Sequence, residues 1–544
     1  MPDAARPEAR ARNAAELSAI SVSKSPSTMH LRFSSAAAAL ALAAASLPLH
    51  AQTTLTGLGT SVSNLRVDDV SADGSAIVAR NSTEAYLWTV SNPTWTAIPG
   101  SAGVFGSFDV SNGGAFVCAT LPDPNNSDLE TAARWSASTG LWTFLPGLGA
   151  WSGSSYTSSY DMSADGSVVV GLAWISANRA HAFRWDSSTG QTTDLGAFGG
   201  NVSSSRPNAV SADGSVAAGW DEDDTTGVWR AARWVGVNES LLGCLDPNDP
   251  INGPSQCYAV SSNGQFIAGE SSTGLSTPSG WSEQHAFRWS AASGLIDAGT
   301  TPVDPFGWGT HATVPTAISD DGRTMVGFAG INAFGPGATR PQFIWREGSG
   351  MNEIAPFLVA MGVNSAANWV FEYTAGMSSD GRVIVGHGLN ASFQREVWRI
   401  EFPPIAENFC TAKVNSLGCT PAMTSSGIAS ASSTLPFEVG AVNVINNKNG
   451  LLYYGVAPLN APFQGGTKCV AQPARRTAVQ DSLGNAGPND CSGAYSIDLN
   501  VLIQGGGDPV LAVGETIYTQ YWTRDPSSPS TTGLTDGLAF TIFP

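Results

Sequence analysis

Residues able to do chemistry are sparse in this chain of 544 residues, and their spacing argues against a catalytic set. Of six histidines, His30 and His50 fall in an N-terminal apolar leader, and His311 and His387 stand alone. His181 and His285 occupy equivalent places in a repeated pentapeptide, so they belong in different repeats and are expected to make one hydrogen bond each at a strand start. No His-x-x-x-His or Cys-x-x-Cys pair offers metal-ligand spacing. Hydrolysis of an acidic sugar would need clustered arginines for the substrate carboxylate plus an acid/base carboxylate. Arg134, Arg184, Arg233 and Arg288 each sit in Ala-x-Arg-Trp, which assigns them to a repeated blade-to-blade contact instead. Gly-x-Ser-x-Gly, the turn that exposes a hydrolase serine, is absent. No cofactor is expected. Calcium is the one ion considered, through the oxygen-rich runs Asp221-Glu222-Asp223-Asp224 and Asp246-Pro247-Asn248-Asp249. Neither has EF-hand spacing, and both read as solvated loops.

Six tryptophans remain as recognition candidates: Trp151, Trp174, Trp220, Trp229, Trp281 and Trp308. They lie outside the repeated positions, on segments of variable length. Exposed aromatics on loops of a rigid scaffold suit sugar or protein binding. The competing reading is that they fold back and plug their own loops.

The scaffold is a repeat. An apolar residue followed by Ser-x-Asp-Gly or a close variant recurs at Val70–Gly74, Val110–Gly114, Met162–Gly166, Val210–Gly214, Val260–Gly264, Ile318–Gly322 and Met377–Gly381. Asp73, Asp165, Asp213, Asp321 and Asp380 hold the acidic position. Asp-Gly and Asn-Gly favour tight hairpin turns because Gly accepts positive φ. Each turn leads into an apolar strand ending in Gly171, Gly219, Gly269, Gly327 or Gly386, or in Ala79 or Ala119. A third strand ends in Trp88, Trp135, Trp185, Trp234, Trp289, Trp345 or Trp398, and a fourth runs to Leu-Gly or Pro-Gly. Four antiparallel strands per repeat make a propeller blade. After Trp398 the fourth strand is missing, whereas Leu55-Thr56-Gly57-Leu58-Gly59 precedes the first hairpin. Residues 53–59 are therefore expected to supply the outer strand of the last blade and close a seven-bladed ring.

His181-Ala182-Phe183-Arg184-Trp185 and His285-Ala286-Phe287-Arg288-Trp289 resemble the repeat of the HAF family of extracellular repeat proteins, named for that tripeptide. The Ser-x-Asp-Gly hairpins also resemble those of TolB-type propellers. The resemblance spans roughly residues 53–404 and implies a secreted propeller without assigned chemistry.

Around the ring the chain divides into an extension, 1–28, and an export signal, 29–51. Met29, His30 and Arg32 precede the apolar run Ala36 to Leu49, with cleavage expected after Ala51. The propeller takes 52–404. A β-sandwich-like module takes 405–544, where the repeat is lost and four of the seven cysteines lie. Its segments 409–419 and 489–498 resemble an uncharacterised C-terminal module of large secreted bacterial proteins. Disulfides are expected between Cys244 and Cys257, which bracket one loop, and by proximity between Cys410 and Cys419 and between Cys469 and Cys491. Cys118 is left as a buried free thiol.

Charge narrows the partners. The chain carries −18, with 13% charged residues against roughly 25% in ordinary domains. No Lys lies between Gln52 and Thr411, so nucleic acid and anionic membrane are excluded as partners of the ring. The reading is an all-β, secreted protein that acts as a monomer. It presents a propeller face to an extracellular glycan or protein, without catalysis and without a transmembrane segment. The alternative is a polysaccharide-acting propeller enzyme, sialidase-like or another glycosidase or lyase.

Overall fold

A computed structural model describes residues 52–102, 105–276, 282–301, 312–330 and 340–544, without the side chains of Phe105 and Ser107. Residues 1–51, where the extension and export signal are expected, and Trp281, Trp308 and His311 lie outside the described residues.

Among the described residues, seven sheets have four antiparallel strands each. In six of them the strands follow chain order. In the last, the outer strand comes from the N-terminal end: Thr54–Gly57 pairs with Arg395–Glu401, Thr54 opposite Glu401 and Gly57 opposite Trp398. Leu58 donates its N–H to Val397 (2.9 Å) and Gly59 donates to Glu396 Oε1 (2.7 Å), extending this clasp. The first-paired strands of all seven sheets line one central cavity, so the sheets stand as blades of a β-propeller.

The hairpin motif builds itself from its own side chains. Asp73 Oδ1 accepts from Ser71 Oγ (2.7 Å) and from the Ser75 N–H (3.0 Å), Ser71 Oγ accepts from the Ala76 N–H (3.0 Å), and Gly74 takes φ +69°. The same arrangement recurs at Ser163/Asp165, Ser211/Asp213, Ser319/Asp321 and Ser378/Asp380, and with Asn at Ser261/Asn263. The hairpins then bond to one another around the ring. The Asn112, Ala164, Ala212, Asp320 and Ser379 N–H groups donate to the carbonyls of Ala164, Ala212, Ser262, Ser379 and Ala72, at 2.8–3.0 Å. Side chains complete the remaining two junctions. Asn263 donates from its backbone N–H to Asp320 Oδ1 (2.9 Å), and the Asp73 N–H donates to Asn112 Oδ1 (3.0 Å). Every hairpin is thus tied to its neighbour, and the circle closes.

Blades contact one another through the Trp-bearing strand. Arg134, Arg184 and Arg288 donate to the carbonyls of Gly166, Gly214 and Gly322 in the following hairpin. Arg233 lies 5.4 Å over the Trp289 ring, and Arg134 and Arg288 likewise cover Trp185 and Trp345 of the next blade. The repeat glycine is needed for close approach: a Cβ on Gly171 would lie 1.9 Å from the Ser158 carbonyl oxygen, and one on Gly219 would lie 1.9 Å from that of Arg206.

The C-terminal module packs a six-stranded sheet against a three-stranded one, with a two-stranded hairpin beside them. Val439, Ala441 and Tyr495 of the smaller sheet meet Leu452, Tyr521 and Phe540 of the larger in one apolar core. Ring contacts cross the gap: Tyr495 stacks on Tyr521 at 5.0 Å and Phe437 meets Phe540 edge-on at 4.8 Å. Propeller and module belong to one compact unit. Buried Arg346 of the ring sits 3.8 Å over Phe543 of the module, beside Phe402. No helix among the described residues is long and apolar enough to cross a membrane.

All three disulfide expectations are corrected. Cys410 bonds Cys469, and Cys419 bonds Cys491. The Asn415 side chain accepts from the Leu417 and Cys419 N–H groups, folding 415–419 into a tight turn that carries Cys419 to Cys491. Cys244 and Cys257 are both free. Cys257 is sealed between blades with Ala218, Ile267 and Phe287, while Cys244 turns into its own loop and donates to the Asp249 carbonyl (3.0 Å). Cys118 is free and buried, packed among Val169, Phe183 and Trp185, and burial raises its pKa well above that of a free thiol.

Candidate functional site

The innermost strands do not run straight. Each breaks register where one or two extra residues are inserted, a single one at Asp68, Tyr160, Asn208, Tyr258 and Thr316. The bulge turns two successive residues towards the axis, which is why both Asp68 and Asp69 line the central cavity of about 210 Å³. Immediately after the bulge the seven blades carry Asp69, Asp109, Asp161, Ala209, Ala259, Ala317 and Gly376. One side of the cavity is therefore acidic, and the other is lined by alanines and a glycine.

Sequence reasoning missed these three aspartates. The signal was available, at the position two before each hairpin Ser, but it lies outside the turn motif. Asp69 Oδ2 accepts from the Val110 N–H (3.2 Å) of the next blade, and Asp161 Oδ2 accepts from Val210 (2.5 Å) of the next. Burial, then the Asp109 carboxylate beside them, holds the pKa values of Asp69 and Asp161 well above the usual carboxylate range. Asp68 is pushed up to about 7 by burial, against the pull of Arg80. Closely spaced buried carboxylates hold protons because they cannot all ionise together. Among the described residues, no three His, Cys, Asp or Glu side chains converge to hold a metal ion.

The longer connections open on the face opposite the hairpins. There a column of stacked groups runs outward: Arg206 lies over Tyr160 (4.5 Å) and Trp220 (5.2 Å), and Trp220 stacks on Trp229 at 4.5 Å and 7°. Arg206 is fixed by Asn208 Oδ1 (2.9 Å) and the Tyr160 hydroxyl (3.2 Å). Trp220 is buried, so the expectation that it meets ligand directly is corrected: its ring supports the exposed Trp229 from below. Beside Trp229 is a cavity of about 270 Å³ lined by Gln256, Glu270 and Gln284. Glu270 Oε1 accepts from Gln256 Nε2 (2.7 Å) and the Tyr258 hydroxyl (2.8 Å), and burial raises its pKa. Trp151 is exposed, whereas Trp174 is half-buried.

The other candidates have structural partners. His181 Nδ1 lies 3.0 Å from Asp194 and His285 Nδ1 lies 3.0 Å from Asp297, so each latches the third strand of its blade to the fourth. His387 is buried against Tyr373, and burial lowers its pKa to about 4. In the run 221–224, Arg230 pairs with Asp221 (2.7 Å) and Asp223 (3.1 Å). In the loop 246–249, Asp246 Oδ1 accepts from the Asn248 N–H (2.8 Å). Three arginines outside the repeat, Arg66, Arg80 and Arg395, line a separate cavity on this face.

No known family model matches the chain, and no curated protein does. Among solved structures it is similar to propeller proteins. A putative TolB from Agrobacterium tumefaciens is 12% identical over 46% of this chain and 88% of its own, with a TM-score of 0.32. The β-propeller domain of the Trilobed protease from Pyrococcus furiosus is 10% identical over 62% and 94%, at 0.39. An oligogalacturonate lyase from Vibrio parahaemolyticus is 9% identical over 64% and 93%, at 0.41.

Proposed function

We propose that this chain is an exported, non-catalytic propeller that binds an extracellular glycan on its long-loop face, with Trp229 as the stacking platform. The observation that carries this reading is the Trp220–Trp229 stack beside a cavity lined by Gln256, Glu270 and Gln284. A rigid aromatic ring flanked by amide and carboxylate side chains matches a sugar, with its apolar ring face and its rim of hydroxyls. Trp220 holds the platform in place before binding, which lowers the ordering cost. The two disulfides of the module and the leader motif in the sequence support action outside the cytoplasm.

The test is calorimetry with neutral cello-, xylo- and manno-oligosaccharides, alongside Trp229→Ala. Loss of an aromatic stacking contact typically costs about 0.5–1.5 kcal/mol, so affinity should fall about two- to tenfold. A parent that binds none of a broad glycan panel, or a Trp229→Ala protein that binds like the parent, would sink the reading. Release of new reducing ends from a bound polysaccharide would favour the enzymatic alternative.

A further inference from the structure

A second cavity opens on the long-loop face, between the last blade and the first two. Its volume is about 630 Å³, within the range of small-molecule sites. Arg66 and Arg80 line it from adjacent strands of the first blade, and Arg395 lines it from the last. Arg66 and Arg80 are direct cross-strand partners in the ladder. Like charges placed opposite each other destabilise a sheet pair, and nothing in the repeat demands them there.

The acids nearby compensate this charge only in part. Glu372 holds Arg395 through two bonds (2.8 and 3.0 Å), which fixes the guanidinium in position. Asp68 lies 3.2 Å from Arg80 but is deeply buried and carries incomplete charge, since burial raises its pKa to about 7. Glu84 also lines the cavity, where it accepts from the Tyr86 hydroxyl (2.8 Å). Arg66 is exposed and makes no ion pair among the described residues. The remaining lining is rich in hydroxyl-matching groups, including Asn64, Asn81 and Thr83.

We propose that this cavity is the subsite for an anionic sugar, with Arg66 and Arg80 forking onto a carboxylate of the ligand. The proposal rests on the glycan-binding reading and deepens it. Planar guanidinium forks match a carboxylate through paired N–H donors, and the amide and hydroxyl side chains around them match ring hydroxyls. Both this cavity and the Trp229 platform open on the same face, so one polysaccharide can engage charge at the first blade and stacking at the fourth.

The test is calorimetry on the full exported chain with a mannuronate trimer, the same trimer as its methyl ester, and inorganic sulfate. The acid should bind about tenfold or more tightly than the ester, as expected for one charge-assisted contact. Arg66→Gln should erase that preference by weakening binding of the acid far more than binding of the ester. Equal affinity for acid and ester, an acid preference that survives Arg66→Gln, or sulfate binding as tight as the trimer would each overturn the proposal. Trp229→Ala separates the two readings. If it weakens acid and ester alike while the parent shows no acid preference, the platform stands and this subsite fails. If it changes neither while the acid preference persists, the subsite stands and the platform fails.

Discussion

On one face of the ring, near-identical hairpins bond to one another in a closed circle. On the other, loops differ from blade to blade and carry the Trp229 platform, Trp151 and the arginine cavity. The repeated face carries a closed circle of hydrogen bonds, where each turn satisfies its own polar groups and then one of its neighbour's. Sequence variety is confined to the face where side chains meet solvent. A scaffold divided in this way can change its ligand without changing its turns.

The sharpest way to break the comparison is to cut the clasp. Deleting residues 53–59 removes Thr54–Gly57 from the edge of the last blade and strips Leu55 and Leu58 from its packing. The two leucines are only partly buried, so their loss costs about 3 kcal/mol, and the ladder bonds add to that. The expected result is a lower and broader melting transition. Hydrogen exchange should rise in Arg395–Glu401 and stay slow at the hairpin circle. An unchanged melt would show that the outer strand closes nothing.

A smaller effect should follow from Gly171→Ala. The new methyl would meet the Ser158 carbonyl and Phe183, so the innermost strand must shift at its bulge, at a cost of about 1–3 kcal/mol. The hairpin at Ser163 lies beyond the bulge and should keep its protection. The first two blades carry Ala79 and Ala119 at this place, and Ala79→Gly therefore should not stabilise the protein. Thermal melts of the two variants decide the matter.

What is legible in the sequence follows the same division. Hairpins, blade strands and the clasp depend on local turn chemistry and on period, both of which a single chain displays. The repeat arginines are readable as blade contacts because their motif fixes their place. The aspartate row is legible only as a spacing, two before Ser71, Ser111 and Ser163; that it faces the axis depends on a bulge that rotates two residues inward, which an alternating pattern does not show. The disulfide pairings fail for a related reason. Cys410 and Cys419 find partners 59 and 72 residues away across a sandwich, where nearness in sequence predicts nothing. Trp220 and Trp229 look alike in the sequence, and only the stack distinguishes support from platform.

Between the two faces, the cavity carboxylates offer a pH test. Asp69 has a folded pKa raised above its ordinary 3.8, so the folded state binds the extra proton. Its favourable contribution is complete below the unfolded value and is lost as pH rises towards the folded one. Asp69→Asn keeps an oxygen for the Val110 N–H and removes the titration. The variant should melt above the parent at pH 8, and the gap should shrink towards pH 4. Over the range in which Asp69 is ionised only in the unfolded chain, each pH unit lowers the parent's stability by roughly 1.4 kcal/mol more than the variant's, which keeps the raised Asp68 and Asp161. A gap that stays constant between those pH values would mean that Asp69 is ionised throughout.

The smallest effect belongs to the latch at His285, on the long-loop side of the fifth blade. Hydrogen bonding to Asp297 raises the His285 pKa above 6.5, with Glu283 (3.2 Å) contributing. A raised histidine stabilises most fully below its unfolded pKa, and the gain is lost as pH rises through the folded one. Asp297 is half exposed, so screening keeps the contribution to about 1 kcal/mol or less. His285→Gln should therefore lower the melting temperature more at pH 5.5 than at pH 9. The hairpin circle should be indifferent to the change, because the latch joins the third and fourth strands at their loop-face ends. If His285→Gln speeds hydrogen exchange at Asn263 and Gly264 as much as at Gly294–Gly299, the two faces are coupled through the blade and the division drawn between them fails.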